Sequence, residues 1–118
     1  MKKKIVVVED DESISDILKI MLERAGYDIT NFYDGTKLMN GVIEKADLYL
    51  IDRQLSGVDG IELCKHLKSH TLTAEIPVII LSATPGLENM VKNAGAMAFI
   101  EKPFSKNHLL QTIEKALG

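Results

Sequence analysis

Cysteine is nearly absent from this sequence. Cys64 stands alone among 118 residues, so no internal disulfide can form. Its neighbours are the apolar residues of a predicted helix, where a lone thiol behaves as a small buried hydrophobe. With no disulfide framework to require an oxidising compartment, the cytoplasm is the expected location. Long apolar runs are missing too, and nothing approaches the ~20 residues of a membrane-spanning helix. The opening "MKKK" could begin a secretory signal, but "IVVV" is too short for its apolar centre and acids follow at once. Clustered positive charge is also lacking. The formal net charge is -3, and three N-terminal lysines are the only basic run, so no direct nucleic-acid surface is expected. His66, His70 and His108 lie in polar surroundings with no metal-ligand spacing and read as surface residues. No internal repeat, low-complexity tract or linker interrupts the chain.

What is present is ordinary globular material. Apolar residues make up 46% and charged residues 26% of the chain. A chain of this length buries about two-thirds of its unfolded surface, enough for one core and one domain spanning residues 1–118. Short apolar runs at "KIVVV" (4–8), "DITNF" (28–32), "DLYLI" (47–51), "PVIIL" (77–81) and "MAFIE" (97–101) read as strands. Helical spacing separates them. Ile14, Ile17, Leu18, Met21 and Leu22 form one stripe, with Ser13 as N-cap and Gly26 as stop. A second stretch, 36–45, carries Leu38, Met39, Val42 and Ile43, interrupted by Asn40-Gly41. A third runs from Gly60 to Ser69. A fourth joins Leu87, Met90, Val91 and Ala94, with Pro85 able to stand at its first position. The last follows Ser105 and buries Leu109, Leu110, Ile113 and Leu117. Alternation of this kind predicts an α/β fold, a parallel sheet covered by helices on both faces. "DITNF", the most polar run, suits an edge strand.

Sites in open parallel sheets form at the C-terminal strand edge. Glu9, Asp10 and Asp11 follow the first run, Asp52 the third, Ser82 the fourth, and Lys102 the fifth. If the strand order is 2-1-3-4-5, the first and third strands are neighbours beside the switch point, which places Asp10 next to Asp52. Carboxylates crowded to ~4 Å repel by ~1 kcal/mol in bulk water and several times that near a protein surface. A hard cation such as Mg²⁺, bound by one or two carboxylates with several waters, would relieve this repulsion. Asp11 and Glu12 are read instead as acids in the first turn of a helix, complementing its dipole.

Taken together, "VVVEDDE", "LIDRQLSGVDG", "PVIILSA" and "FIEKPF" resemble the receiver domain of two-component response regulators, of the chemotaxis-regulator type. The resemblance covers essentially the whole chain. It implies a doubly wound, flavodoxin-like sheet of five strands in the order 2-1-3-4-5 with five helices. It implies that Asp52 accepts a phosphoryl group from a sensor histidine kinase or phosphotransferase. Asp10 and Asp52 would bind Mg²⁺ directly, Glu9 through water, and Gln54 by its backbone carbonyl. Lys102 would pair with Asp52 and then with the phosphoryl group, Ser82 would hydrogen-bond a phosphoryl oxygen, and Phe99 would be the aromatic switch. It also implies a cis Lys102–Pro103 bond. One departure concerns the phosphoacceptor loop. The family commonly has a proline where this chain has Ser56, after Leu55, and a less rigid loop is expected. A second departure is "TPG", Thr84 to Gly86, in a segment that looks slightly short.

Three functions compete. The first is a phosphorylation-controlled switch that is not a turnover enzyme, although it can dephosphorylate itself. The second is a Mg²⁺-dependent aspartyl phosphatase resembling haloacid dehalogenases. That family needs an acid two residues after the nucleophile, where this chain has Gln54. The third is an interaction module independent of phosphate. The complete acid–lysine–serine set favours the first. Its output is expected through a downstream protein partner or a C-terminal output domain not present in this chain, with no membrane involvement.

Overall fold

A computed structural model describes residues 2–41 and 45–118. Five parallel strands, β1 (Lys4–Val8), β2 (Asp28–Phe32), β3 (Leu48–Asp52), β4 (Val78–Ser82) and β5 (Ala98–Glu101), form one sheet in the order β2-β1-β3-β4-β5. Five helices alternate with them: α1 (Glu12–Arg24), α2 (Thr36–Met39), α3 (Gly60–Ser69), α4 (Glu88–Asn93) and α5 (Lys106–Leu117). This is the expected flavodoxin-like order. The central strands are apolar throughout because both of their faces are covered. Val6, Val8, Tyr49, Ile51, Val78 and Ile80 point to one side, against Leu38, Ile61, Leu63, Cys64, Leu67 and Val91. Ile5, Val7, Leu48, Leu50, Ile79 and Leu81 point to the other, against Leu18, Leu22, Leu109 and Ile113. Burying each such side chain stabilises by about 1.5–3 kcal/mol. The polar run "DITNF" forms the edge strand β2, as expected.

Several boundaries differ from expectation. Asp11, not Ser13, caps α1: its carboxylate accepts from the Ile14 N–H at 3.1 Å. Aspartate caps as well as serine, so the acidic run itself starts the helix. On α1, Ile17 is 59% exposed while Ser15 is buried, so the buried stripe is narrower than the apolar spacing suggested. Helix α2 is one turn long and precedes Gly41, whose φ of +94° is left-handed. Val42 and Ile43, assigned to that helix from sequence, lie outside the described residues. Pro85 does not open α4. It sits in the turn before, and Gly86 at φ +76° separates it from the helix. Strands β3 and β4 each extend one residue further than expected, to Asp52 and Ser82, because ladder bonds continue there. The Arg53 N–H donates to the Leu81 carbonyl and the Lys102 N–H to the Ser82 carbonyl, both at 2.8 Å. The Lys102–Pro103 bond is cis, as expected.

Candidate functional site

The extra residue on β3 matters because it fixes Asp52 on the strand rather than in a loop. Asp52 is in register with Leu81, and β1 ends beside β3 with Val8 opposite Ile51. Glu9, next along the chain, is locked by its N–H to the Phe32 carbonyl at 3.0 Å. The C-terminal edge therefore carries Glu9, Asp10 and Asp52 together, with one carboxylate oxygen from each lying within 4.8 Å of the others. Lys102 reaches this cluster from the end of β5. Its Nζ lies 2.6 Å from Asp52 Oδ1 and 3.4 Å from Glu9 Oε1.

Backbone amides hold the remaining oxygens. The Gln54 N–H donates to Asp52 Oδ2 at 3.1 Å, and the Asp11 N–H to Glu9 Oε2 at 3.3 Å. Asp10 is held differently. Both the N–H and the hydroxyl of Ser56 donate to its Oδ2, at 3.1 and 3.0 Å. Ser82 is buried on the neighbouring strand end, with its Oγ accepting from the Thr84 N–H at 3.1 Å. Phe99 is half-buried on β5, opposite Ile80, and packs on the α2–α3–α4 face of the sheet.

Burial dominates the electrostatics. It pushes the Asp52 carboxyl above the usual range, and the Asp10 charge adds to this. The bond and charge of Lys102 and the Gln54 N–H pull the other way without cancelling it. Burial also raises Glu9, helped by the charge of Asp52 and opposed by Lys102 and the Asp11 N–H. For Lys102 burial acts downward, but the hydrogen bond to Asp52 and the charges of Asp52 and Glu9 outweigh it, and its pKa is raised. When all three acids are ionised, one ammonium faces three carboxylates, leaving two negative charges uncompensated. An all-oxygen donor set with that deficit suits a divalent hard cation.

The edge thus brings together Glu9, Asp10, Asp52, Gln54 and Lys102, with Ser82 on the adjoining strand. Ser56 was noted from sequence only as the absence of a proline. Its signal, an N–H and a hydroxyl beside an acidic site, becomes legible once its partner Asp10, 46 residues away, is known. Arg53 also lines this edge, with Nε 3.9 Å from Asp59.

Residues 5–114 match the family described as the response regulator receiver domain. The chain is 36% identical over 119 residues to the phosphate regulon transcriptional regulatory protein PhoB of Pseudomonas aeruginosa, covering 98% of this chain and 52% of that protein. It is 33% identical over 117 residues to the DNA-binding dual master transcriptional regulator RpaA of Synechocystis sp., covering 97% of this chain and 48% of that protein. It therefore spans about half the length of these curated relatives. Among solved structures, the receiver domain of the sensor histidine kinase PA1611 from Pseudomonas aeruginosa superposes with a TM-score of 0.89 at 24% identity, over 100% of this chain and 99% of that one. That protein has a magnesium ion coordinated in its active-site cleft.

Proposed function

The chain belongs to the response regulator receiver domain family, and on that premise we propose that it is a phosphoryl-accepting switch whose acceptor is Asp52. The observation that carries this reading is the 2.6 Å ion pair between Lys102 Nζ and Asp52 Oδ1, set among crowded carboxylates. Asp52 is only 5% exposed and ends β3 at the C-terminal edge of the sheet.

In the proposed step, an Asp52 oxygen attacks the phosphorus of a phosphohistidine on a sensor histidine kinase or phosphotransferase. The O–P bond forms as the P–N bond breaks, and the bonding pair leaves on the imidazole nitrogen. Phosphoryl transfer asks the protein chiefly for alignment and charge neutralisation. The Gln54 N–H, on Oδ2, keeps the carboxylate from turning. Lys102 lies where it can pass from Asp52 Oδ1 to a phosphoryl oxygen, with Glu9 holding the ammonium in reach. Mg²⁺, held by Asp10, Asp52 and the Gln54 carbonyl, with Glu9 through water, would supply the positive charge that offsets repulsion between carboxylate and phosphoryl oxygens. Gln54, two residues after the acceptor, cannot serve as the general acid of a haloacid-dehalogenase-like phosphatase, which favours an acceptor over a turnover enzyme.

Phosphorylation adds charge and strong acceptor oxygens at the end of β3. Ser82 Oγ, which accepts from the Thr84 N–H, then turns to donate to a phosphoryl oxygen. Phe99 rotates inward, altering the surface of α4, β5 and α5 that a protein partner or output domain reads. This is a two-state element biased by local charge.

Acetyl phosphate with Mg²⁺ should place one hydroxylamine-labile phosphoryl group on Asp52, located by mass spectrometry with peptide mapping. Asp52→Asn should abolish it, and Ser82→Ala should keep it while weakening amide-exchange changes across residues 83–104. A label on another residue overturns the acceptor assignment, and unchanged exchange after full labelling overturns the output route. Linear release from a chromogenic phosphate ester beyond one equivalent would favour the phosphatase.

A further inference from the structure

Ser56 makes two hydrogen bonds to one oxygen of a carboxylate 46 residues away, and no proline could make either. Its placement is imposed from both sides. Leu55, before it, packs into the core on the α2–α3–α4 face. Gly57, after it, turns the chain at φ +83°, a left-handed conformation that side chains rarely adopt. Beyond the turn, Val58 presses so closely on Gly35 that a Cβ there would overlap it. The loop is then tied to β3 by the Gly60 N–H, which donates to the Arg53 carbonyl at 2.8 Å. Ser56 is thus presented to Asp10 by a loop already anchored at either end.

Both donors converge on Oδ2, so a cation taking one oxygen from Asp10 finds Oδ1 clear of them. Hydrogen bonds to the non-ligating oxygen of a metal-binding carboxylate fix its plane, and losing such partners typically weakens metal affinity about 10–100-fold. We propose that Ser56 is a positioning residue for the divalent cation, fixing the Asp10 carboxylate through Oδ2 and leaving Oδ1 free to serve as a ligand. This rests on the reading of Asp10 as a Mg²⁺ ligand and adds a residue that the resemblance does not assign. It also ties that loop directly to the acidic edge.

The test is calorimetric titration of the unphosphorylated protein with Mg²⁺, alongside circular dichroism to confirm folding. Ser56→Ala should weaken Mg²⁺ binding by roughly tenfold, and Ser56→Thr, which keeps both donors, should restore the parent affinity. In an Asp10→Asn background, Ser56→Ala should add nothing, because the oriented group is already changed. Parent affinity that survives Ser56→Ala unchanged, or tightens, overturns the role of Ser56 while leaving the Mg²⁺ site intact. A parent protein that binds no Mg²⁺ overturns both.

Discussion

At the scale of single residues, the site is held in a costly state. Asp52 and Glu9 both have raised pKa values, burial being the first cause for each. A carboxyl whose folded pKa exceeds its unfolded value binds its proton more tightly in the native state. Its contribution is fully present below the unfolded pKa and is lost as pH rises through the folded pKa. Metal-free protein should therefore lose stability as pH climbs through the carboxylate range. Asp52→Asn should raise the melting temperature at neutral pH in chelator, and the gain should shrink as acid protonates Asp52 in the parent. Thermal unfolding followed across pH checks this, and a gain independent of pH would contradict it. Lys102 has the same sign and a different window: its raised pKa gives support that is complete below the ordinary lysine pKa and lost only above it. Cys64 behaves as its apolar setting suggested. It is fully buried, its Sγ donates to the Ala94 carbonyl at 3.5 Å, and burial pushes the thiol up to about 11.

At the scale of elements, the junction of β3 and α3 carries the tightest requirement. Gly60 opens α3 against the backbone that bears Asp52. A Cβ there would overlap the Asp52 carbonyl oxygen and come within 2.8 Å of Arg53 Cα. The obstructing atoms are main chain and cannot rotate away. Gly60→Ala should destabilise the protein by about 1–3 kcal/mol, the usual cost of overpacking. Because the strain falls on β3, it should also weaken Mg²⁺ binding. Removing the neighbouring N-cap by Asp59→Ala, which deletes a 3.0 Å bond to the Ile61 N–H, should cost ~1 kcal/mol and leave Mg²⁺ affinity near the parent's. Denaturant unfolding and Mg²⁺ titration of both variants separate the two effects. Equal losses of affinity would mean that the position of α3, not the close approach at Gly60, controls the site.

At the scale of the whole molecule, residues from three strand ends make one charged edge, so ligand binding there acts on the entire fold. A ligand that binds only the native state adds RT ln(1 + [L]/Kd), or ~2.7 kcal/mol at a hundredfold excess. Mg²⁺ should accordingly raise the melting temperature of the parent, and Asp10→Asn should remove most of that rise. A melting temperature indifferent to millimolar Mg²⁺ would contradict the site. Among the described residues no helix is long and apolar enough to cross a membrane. The edge strand β2 is partly polar, and the inner strands are covered on both faces.

The strands were legible because a doubly covered strand must be apolar along its length, and "IVVV", "LYLI" and "VIIL" are. Helix α3 spans the stretch read from sequence, Gly60 to Ser69, and α5 follows Ser105 as expected; the structure adds that Asp59 and Ser105 cap them. The acidic run, Asp52, Ser82 and Lys102 stood out because each follows an apolar run, and parallel strands bring such positions to one edge. Local pattern could not decide between Ser13 and Asp11 as a cap. Nor could apolar spacing alone show which residues of α1 face the sheet, since that depends on how the helix is seated. Ser56 lay furthest from reach. Its hydroxyl and N–H have meaning only through Asp10, and packing at Leu55, the turn at Gly57 and the pairing of β1 with β3 bring the two together. Sequence determined which groups the edge carries, because chemistry resides in residue type and periodicity sets strand and helix. Tertiary structure decided which oxygen each donor meets, because distances of a few ångströms between remote residues are set by how the layers pack.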